Sequence, residues 1–116
     1  MKLGSGVPYI PERGDIVWIN FNPQKGHEQA GCRPAIIISP ANYNNLVGLA
    51  IMCPITNQVK GYPFEVLLSE GMQTLGVVLA DQVKSLDWKA RQAQFIEKAS
   101  SDITEQVIAK IMPLFY

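Results

Sequence analysis

Short runs of β-branched and aromatic residues, separated by closely spaced clusters of turn residues, constrain the fold of this chain more than any other feature. Such residues favour strands, because they fit a pleated and half-buried surface. Many short strands with turn signals between them are typical of a barrel or a sandwich. The pattern predicts strands at residues 16–21, 34–40, 49–56, 64–68 and 76–80, the last continuing less regularly through Val83 and Leu86.

Two long polar loops, residues 22–33 and 57–63, separate some of these short strands. Long ordered loops on a compact scaffold are often functional, so these two are the first candidates for a site. The second and third strands are predicted to be joined through a group of turn-forming residues: Asn42, Asn44, Asn45 and Gly48.

The spacing of apolar residues changes near the C-terminus. Three- and four-residue steps predict a helix with one apolar face, formed by Ile103, Val107, Ile108, Ile111 and Leu114. Asp102 and Glu105 have the spacing of a capping box, although aspartate replaces the usual serine or threonine. Pro113 should end or kink the helix. We expect this helix to cover one side of the strands.

Length and composition indicate one domain over residues 1–116, with residues 1–11 as a mobile leader. Apolar residues make up 47% of the chain and charged residues 17%, which fits a compact globular protein. The ten basic and ten acidic side chains cancel, so any contact with nucleic acid must be local rather than driven by bulk charge. No segment approaches the length of a membrane span or a signal peptide, and a cytoplasmic location is predicted.

The two cysteines, Cys32 and Cys53, do not form a CxxC pair. They therefore indicate neither a zinc site nor a redox motif, and both are expected to be small buried hydrophobic residues. No group of histidines and carboxylates has the spacing of metal ligands. Neither a metal nor any other cofactor is expected.

Three polar segments hold the side chains that are suited to chemistry. Glu28 and His27 are candidate bases, and Arg33 offers a planar fork that suits phosphate oxygens. The hydroxyl of Thr56 can donate to the same kind of oxygen. Each also has an ordinary alternative, as a solvated ion pair, a surface histidine or a turn cap. The other polar candidates are Lys25, Gln29, Asn57, Gln58, Lys60, Tyr62, Asp81, Gln82 and Lys84.

The order of the motifs along the chain is more specific than these residues alone. A close resemblance to the MazF/PemK family of ribonuclease toxins is carried by PERGDIVWINFNPQKGHEQAGCRPAIIISP, YNN, CPIT, KGYPFEV and GVVLADQVKSLDW. The resemblance runs from about Glu12 to the C-terminus. Its most specific parts are a GxEQxGxRP loop, a PxT strand end and a DQxK/R segment.

One loop and two single positions separate the branches of this family. The KGYPFEV loop places the chain nearer the MazF branch, although His27 resembles the PemK branch, where MazF members usually have serine. Leu79 departs in the other direction, because PemK-type members carry a catalytic arginine there. The mechanism centred on Asp81 that is proposed for those members is therefore not assumed.

The resemblance implies a mainly β (α+β) fold, an SH3-like β-barrel of the MazF/PemK/CcdB type with a C-terminal helix. It implies the toxin of a type II toxin–antitoxin system, a homodimer inhibited by a MazE-like antitoxin with an acidic tail. The implied activity is metal-independent, sequence-specific cleavage of single-stranded mRNA, which inhibits translation and growth. The expected products carry a 2′,3′-cyclic phosphate and a 5′-hydroxyl.

At the matching positions, the resemblance makes Glu28 the general base, Arg33 the cation for the transition state and Thr56 a phosphate-positioning hydroxyl. The acid for the leaving group stays open between Arg33, His27 and water, since arginine is a poor acid. The implied RNA-binding residues lie mainly in two base-reading loops. They are Lys25, His27, Gln29, Asn57, Gln58, Lys60, Tyr62, Asp81, Gln82 and Lys84.

Two aromatic side chains, Tyr62 and Phe21, are able to stack on bases, but a core role is the more ordinary one for Phe21. The same reasoning assigns five aliphatic residues to the barrel interior: Val17, Ile37, Ile51, Val66 and Val78.

Two rival functions stay open. The gyrase poison CcdB shares the barrel architecture without nuclease activity, so the fold alone does not establish catalysis. A degenerate family member would keep only antitoxin binding. The set of Glu28, Arg33 and Thr56 is complete here and has no evident purpose in a gyrase binder, which favours the ribonuclease.

Overall fold

The structure, a computed structural model, describes residues 8–23 and 26–116. Over these residues the chain forms seven strands, namely β1 (Asp15–Asn20), β2 (Cys32–Ile37), β3 (Ala50–Thr56), β4 (Glu65–Leu67), β5 (Val77–Leu79), β6 (Lys84–Leu86) and β7 (Gln94–Lys98). The helices are α1 (Ala41–Val47) and α2 (Ser101–Ile111), with 3₁₀ turns at Ala80–Gln82 and Met112–Phe115. In these described ranges, no helix has both the length and the apolar character needed to cross a membrane.

Within the described residues the strands form an antiparallel sheet in the order β4-β5-β3-β2-β1-β7, and β6 also pairs with β3. The first residues of β3 pair with β6, whereas its last two, Ile55 and Thr56, pair with β5. Its other edge pairs with β2. The end of β3 is therefore fixed at the junction of two parts of the sheet. This sheet, with its C-terminal helix, confirms the predicted mainly β fold class.

The buried residues of the sheet are divided between two hydrophobic clusters, because neighbouring residues of a strand point to opposite faces. Ile36 belongs to the cluster beneath α2, whereas Ala35 and Ile37 belong to the other. Phe21 is buried in this second cluster, as expected for a core residue. Ile51, predicted in the interior, is only half-buried. The other four predicted interior residues are buried, but they are divided between the clusters: Val17, Ile37, Val66 and Val78.

Helix α2 contacts the first cluster through three of the predicted apolar positions, Ile103, Val107 and Ile111. The predicted helix is confirmed, but its predicted cap is wrong. Ser100 precedes the helix, and its side chain accepts a hydrogen bond from the backbone N–H of Ile103. Serine caps well because its short side chain reaches an N–H group that has no partner inside the helix. Asp102 lies inside the first turn instead.

Helix α1 occupies the connection that was predicted as turn residues without a helix. Its Asn44 side chain is fully buried, donates to the carbonyls of Pro11 and Ser39 at 2.8 and 3.0 Å, and accepts from the Ser39 hydroxyl. A buried amide that is fully hydrogen-bonded fixes the local backbone, and here it outweighs the turn propensity of asparagine. Gly48 then ends the helix in the left-handed conformation that glycine adopts easily (φ 82°).

Strand β7 was not predicted, because its sequence QFIEK mixes polar and apolar residues without the alternation of the other strands. It lies at an edge of the sheet and pairs with β1 across a register shift between Ile16 and Val17. Its existence depends on the partner strand rather than on its own sequence. It also brings Glu97 toward the segment between β4 and β5, which matters for the site.

Two further sequence expectations need correction. The leader was predicted over residues 1–11, of which 1–7 lie outside the described residues. Residues 8–11 were assigned wrongly to it: Tyr9 contacts the second cluster, and its hydroxyl donates to Asp15 at 2.6 Å. Cys53 is buried, as expected, but the expectation for Cys32 is wrong, because Cys32 is exposed at the first position of β2.

Candidate functional site

Arg33 is the second residue of β2 and is half-buried. Its Nε donates to the carbonyl of Ala30 at 3.1 Å, and its Nη1 donates to the carbonyl of Ile55 at 3.4 Å. These two acceptors lie on different elements, the loop before β2 and the end of β3. A guanidinium has five N–H donors, so three are left for a bound anion. Arg33 is therefore a cation held in place from two sides.

Thr56 ends β3 and is almost fully buried, with 7% of its surface exposed. Its Oγ1 accepts the backbone N–H of Gln58 at 3.1 Å, which is the turn-capping role that the sequence left open. The hydroxyl hydrogen can still be donated, since a hydroxyl both donates and accepts. Thr56 pairs with Val77 of β5, and Gly76 beside it approaches the Thr56 carbonyl closely.

Arg33 lines a groove of about 480 Å³. Its polar lining includes Asn57, Gln73 and Thr74, and its apolar lining includes Trp18, Pro34, Ile55, Leu75 and Ile96. Such a mixture of a cation, amides and apolar surface suits a ligand that is anionic in one part and flat and apolar in another. Phosphates and bases have those properties.

A second contact joins the loop before β2 to the segment after β5. The ammonium of Lys84 lies 3.5 Å from the Glu28 carboxylate, and Gln29 donates its backbone N–H to the side-chain oxygen of Gln82 at 3.0 Å. Glu28 is about half exposed, so the ion pair contributes little to stability. The ion pair and the hydrogen bond instead position the loop that ends at Arg33.

The structure brings the predicted residues together in two groups. Arg33 and Asn57 line the groove next to Thr56, while the second group is held by side-chain contacts across two segments: Glu28, Gln29, Gln82 and Lys84. The carbonyl of Ala30, which Arg33 contacts, lies between these groups along the chain. Lys25 lies outside the described residues.

The remaining predicted residues lie on exposed surface. His27, Gln58 and Asp81 are exposed. The ammonium of Lys60 lies 5.9 Å from the ring centroid of Tyr62, and both side chains are exposed. These residues border the site without joining either group.

The charge of Asp81 acts on the buried thiol of Cys53. Burial in the core, and secondarily the nearby Asp81 carboxylate, raises the pKa of Cys53 to about 12. The thiol therefore stays neutral at physiological pH and belongs to the core rather than to the chemistry.

Sequence reasoning missed the wall of the groove formed by residues 73–75. Glu97 on β7 accepts the backbone N–H groups of Gln73 and Thr74, at 3.1 and 2.7 Å. Burial raises the pKa of this carboxyl, but hydrogen bonds from the Thr74 side chain and the two amides outweigh burial and lower it overall. The ionised Glu97 carboxylate therefore stabilises the folded protein. This contribution is fully present above the pKa that Glu97 has in the unfolded chain, and it is lost as the pH falls through the lower pKa of Glu97 in the folded protein.

In the part of the chain that the structure describes, no three histidine, cysteine or carboxylate side chains come together as they would around a metal ion. The chemical groups gathered at the groove are instead a fixed guanidinium, a hydroxyl and amides. This set is chemically suited to holding an anionic ligand and to stabilising negative charge.

Comparison with known proteins identifies the family of the chain. The family described as PemK-like, MazF-like toxin of type II toxin–antitoxin system matches residues 12–115. The endoribonuclease toxin MazF of Escherichia coli (strain K12) is 50% identical over 103 residues, which cover 89% of this chain and 92% of that protein. The crystal structure of MazF (Form-I) from Deinococcus radiodurans superposes with a TM-score of 0.91 at 48% identity, covering 93% of this chain and 98% of that one. A MazE-MazF (Form-II) structure from the same organism gives a TM-score of 0.85 at 48% identity, covering 93% and 97%.

The chain therefore belongs to the PemK-like, MazF-like toxins of type II toxin–antitoxin systems. Within that family it is a MazF-type endoribonuclease toxin, since half of its aligned residues are identical to those of MazF. Both the predicted family and the predicted branch are confirmed.

Proposed function

We propose that this protein cuts single-stranded mRNA at a specific short nucleotide sequence (the cleaved word), without a metal, by using the RNA's own 2′-hydroxyl as the nucleophile. As the toxin of its pair it would act in the cytoplasm and stop translation and growth. The observation that carries this proposal is the position of Arg33, which lines the groove and is fixed by the Ala30 and Ile55 carbonyls. A preorganised cation is what a developing phosphorane requires.

In the proposed reaction, Glu28 takes the proton of the 2′-hydroxyl, whose oxygen attacks the adjacent phosphorus. The bond from phosphorus to the 5′-oxygen breaks, leaving a 2′,3′-cyclic phosphate on one fragment and a 5′-hydroxyl on the other. Arg33 stabilises the extra negative charge, and Thr56 donates to a phosphate oxygen. The proton for the 5′-oxygen comes from Arg33, His27 or water, and the contacts of Arg33 with two carbonyls favour a purely electrostatic role for it.

Recognition would use the exposed polar and aromatic side chains around the groove. Tyr62 is 61% exposed, which leaves its ring available for stacking on an unpaired base. The other proposed RNA contacts are Lys25, His27, Gln29, Asn57, Gln58, Lys60, Asp81, Gln82 and Lys84. A chain with no net charge fits such local contacts better than general affinity for phosphate.

The decisive experiment is cleavage of a long defined RNA in excess EDTA, with mapping of both new ends. We expect undiminished cutting, a cyclic phosphate and a 5′-hydroxyl, and protection of the same word inside a duplex. A 2′-O-methyl group on the nucleotide before the scissile phosphate should prevent cleavage there and nowhere else. Dependence on added Mg²⁺, or equal cutting of the methylated RNA, would contradict the mechanism.

A MazE-like antitoxin and a second copy of the chain are the proposed partners. The likeness to a MazE-MazF structure supports the antitoxin. We expect an acidic antitoxin tail to occupy the groove beside Arg33 and to displace RNA. Anisotropy of a labelled, 2′-O-methylated RNA would measure the competition, with a scrambled peptide of equal charge as the control. RNA affinity that is unchanged at saturating antitoxin would show that the two sites are separate.

A further inference from the structure

Glu97 holds part of the connection between β4 and β5. The connection between β4 and β5 is irregular, and the backbone N–H groups of Gln73 and Thr74 point to the Glu97 carboxylate rather than into a strand ladder. Each carboxylate oxygen accepts one of these N–H groups. Hydrogen bonds to an ionised acceptor are stronger than neutral ones, so this contact orders two consecutive peptide units at once.

The segment that Glu97 holds is also a wall of the groove. Gln73, Thr74 and Leu75 line the same groove as Arg33, and Ile96, the neighbour of Glu97 on β7, lines it too. The far end of the segment is fixed by Gly76. The wall is thus anchored at both ends, by a carboxylate on an edge strand and by a close backbone contact with the end of β3.

The position of these side chains suggests what the wall does. Leu75 is 67% exposed and Gln73 is exposed, although both border the groove. An exposed leucine beside an exposed amide offers an apolar surface for a base and a donor and acceptor for its edge. The lowered pKa of Glu97 means that its carboxylate is ionised throughout the physiological range.

We propose that Glu97 is a positioning residue, which fixes residues 73–75 so that they contact a nucleotide next to the scissile phosphate and help to select the cleaved word. This inference rests on the proposed ribonuclease function and adds a specificity element to it. Glu97 itself contacts neither the RNA nor the reacting atoms. It acts through the backbone that it holds.

The second loop at the site is held in the same way, which strengthens the inference. Glu65 on β4 accepts the backbone N–H groups of Lys60 and Gly61, at 3.1 and 2.9 Å. These two segments are therefore each held by one glutamate of a strand. If both glutamates position recognition loops, their removal should change the preference at different positions of the RNA word.

The test compares Glu97→Ala, Glu97→Gln and Glu65→Ala with the wild type, and Glu105→Ala on the exposed side of α2 is the matched control. Cleavage of a random-sequence RNA pool gives the preference, and one defined substrate gives kcat and KM separately. Glu97→Ala should raise KM about tenfold, because ordering a loop in the complex then costs binding free energy, while kcat changes less than about threefold. It should also relax the preference at one position.

Glu97→Gln should lie between the wild type and Glu97→Ala, because it keeps one acceptor oxygen for one of the two amides. Faster hydrogen exchange of the Gln73 and Thr74 amides should accompany the change in KM. Thermal melts confirm that each variant is folded, and Glu97→Gln carries the test if the alanine variant does not fold. If the wild type cuts RNA and the folded Glu97 variants keep its KM and its RNA sequence preference, this inference alone is overturned. A wild type that does not cut RNA would overturn the proposed function and this inference with it.

Discussion

Replacing Arg33 with alanine should slow RNA cleavage by about 10²–10³-fold at saturating enzyme, the usual cost of losing one preorganised donor to a developing charge. The reason is geometric. The guanidinium is fixed by carbonyls on two elements, so it need not reorganise when the phosphorane forms. Removing it leaves the groove without the one cation that its described lining contains. The measurement is single-turnover cleavage of one defined RNA.

Two companion variants separate the role of Arg33 from charge alone and from its neighbour. Arg33→Lys keeps the charge but loses the planar fork, so it should recover little of the lost rate. His27→Ser should be much milder, since His27 is exposed at the border of the site. A thermal melt is the control, because loss of two hydrogen bonds to partly buried carbonyls should cost only about 1–3 kcal/mol of stability.

Normal cutting by Arg33→Ala would refute the assignment of Arg33, whatever the family of the protein. The same holds if His27→Ser proves the more damaging change. In either case the phosphate would have to be held by a different cation, and Lys84, paired with Glu28, would be the next residue to replace.

The sequence predicted those parts of the fold that depend on local patterns. β1, β2 and β3 are rich in β-branched residues whose spacing marks a strand, and the apolar steps of α2 mark a helix. Helix α1 was missed because a buried network around Asn44 overrides the turn propensity of its residues. β7 was missed because an edge strand of mixed polarity is specified by its partner rather than by its own residues.

In the candidate site, too, the residues that belong to local motifs were predicted and those that depend on distant contacts were not. Arg33, Thr56 and the Lys84 segment belong to contiguous motifs, so the sequence indicated them, and the fold then places Arg33 beside the end of β3. The wall at residues 73–75 has no such motif. It becomes part of the site only when β7 brings Glu97 to the connection between β4 and β5. That arrangement requires two segments distant in sequence, which periodicity and spacing do not detect.

Gly76→Ala should be the most damaging small substitution at this site. A Cβ built on Gly76 would lie 2.1 Å from the Thr56 carbonyl oxygen and 2.8 Å from its carbonyl carbon, distances that no real contact allows. The residue also has a φ of +108°, which side chains other than glycine rarely adopt. We expect a loss of at least about 4 kcal/mol of stability, a size that single substitutions reach only when the backbone must move. Any folded molecules should cut RNA poorly, because the backbone that moves carries Thr56 and Asn57.

Gly71→Ala is the matched control, because it carries the backbone strain without the clash. Gly71 has a φ of +89°, but the described residues leave open space around a Cβ at that position. It should therefore lose only about 1–2 kcal/mol, the cost of a left-handed residue with a side chain. Denaturant melts at equal protein concentration give the difference between the two variants, and cleavage per folded molecule gives the effect on the site. Equal losses of stability, or full activity in folded Gly76→Ala, would show that the end of β3 does not depend on the close approach of Gly76.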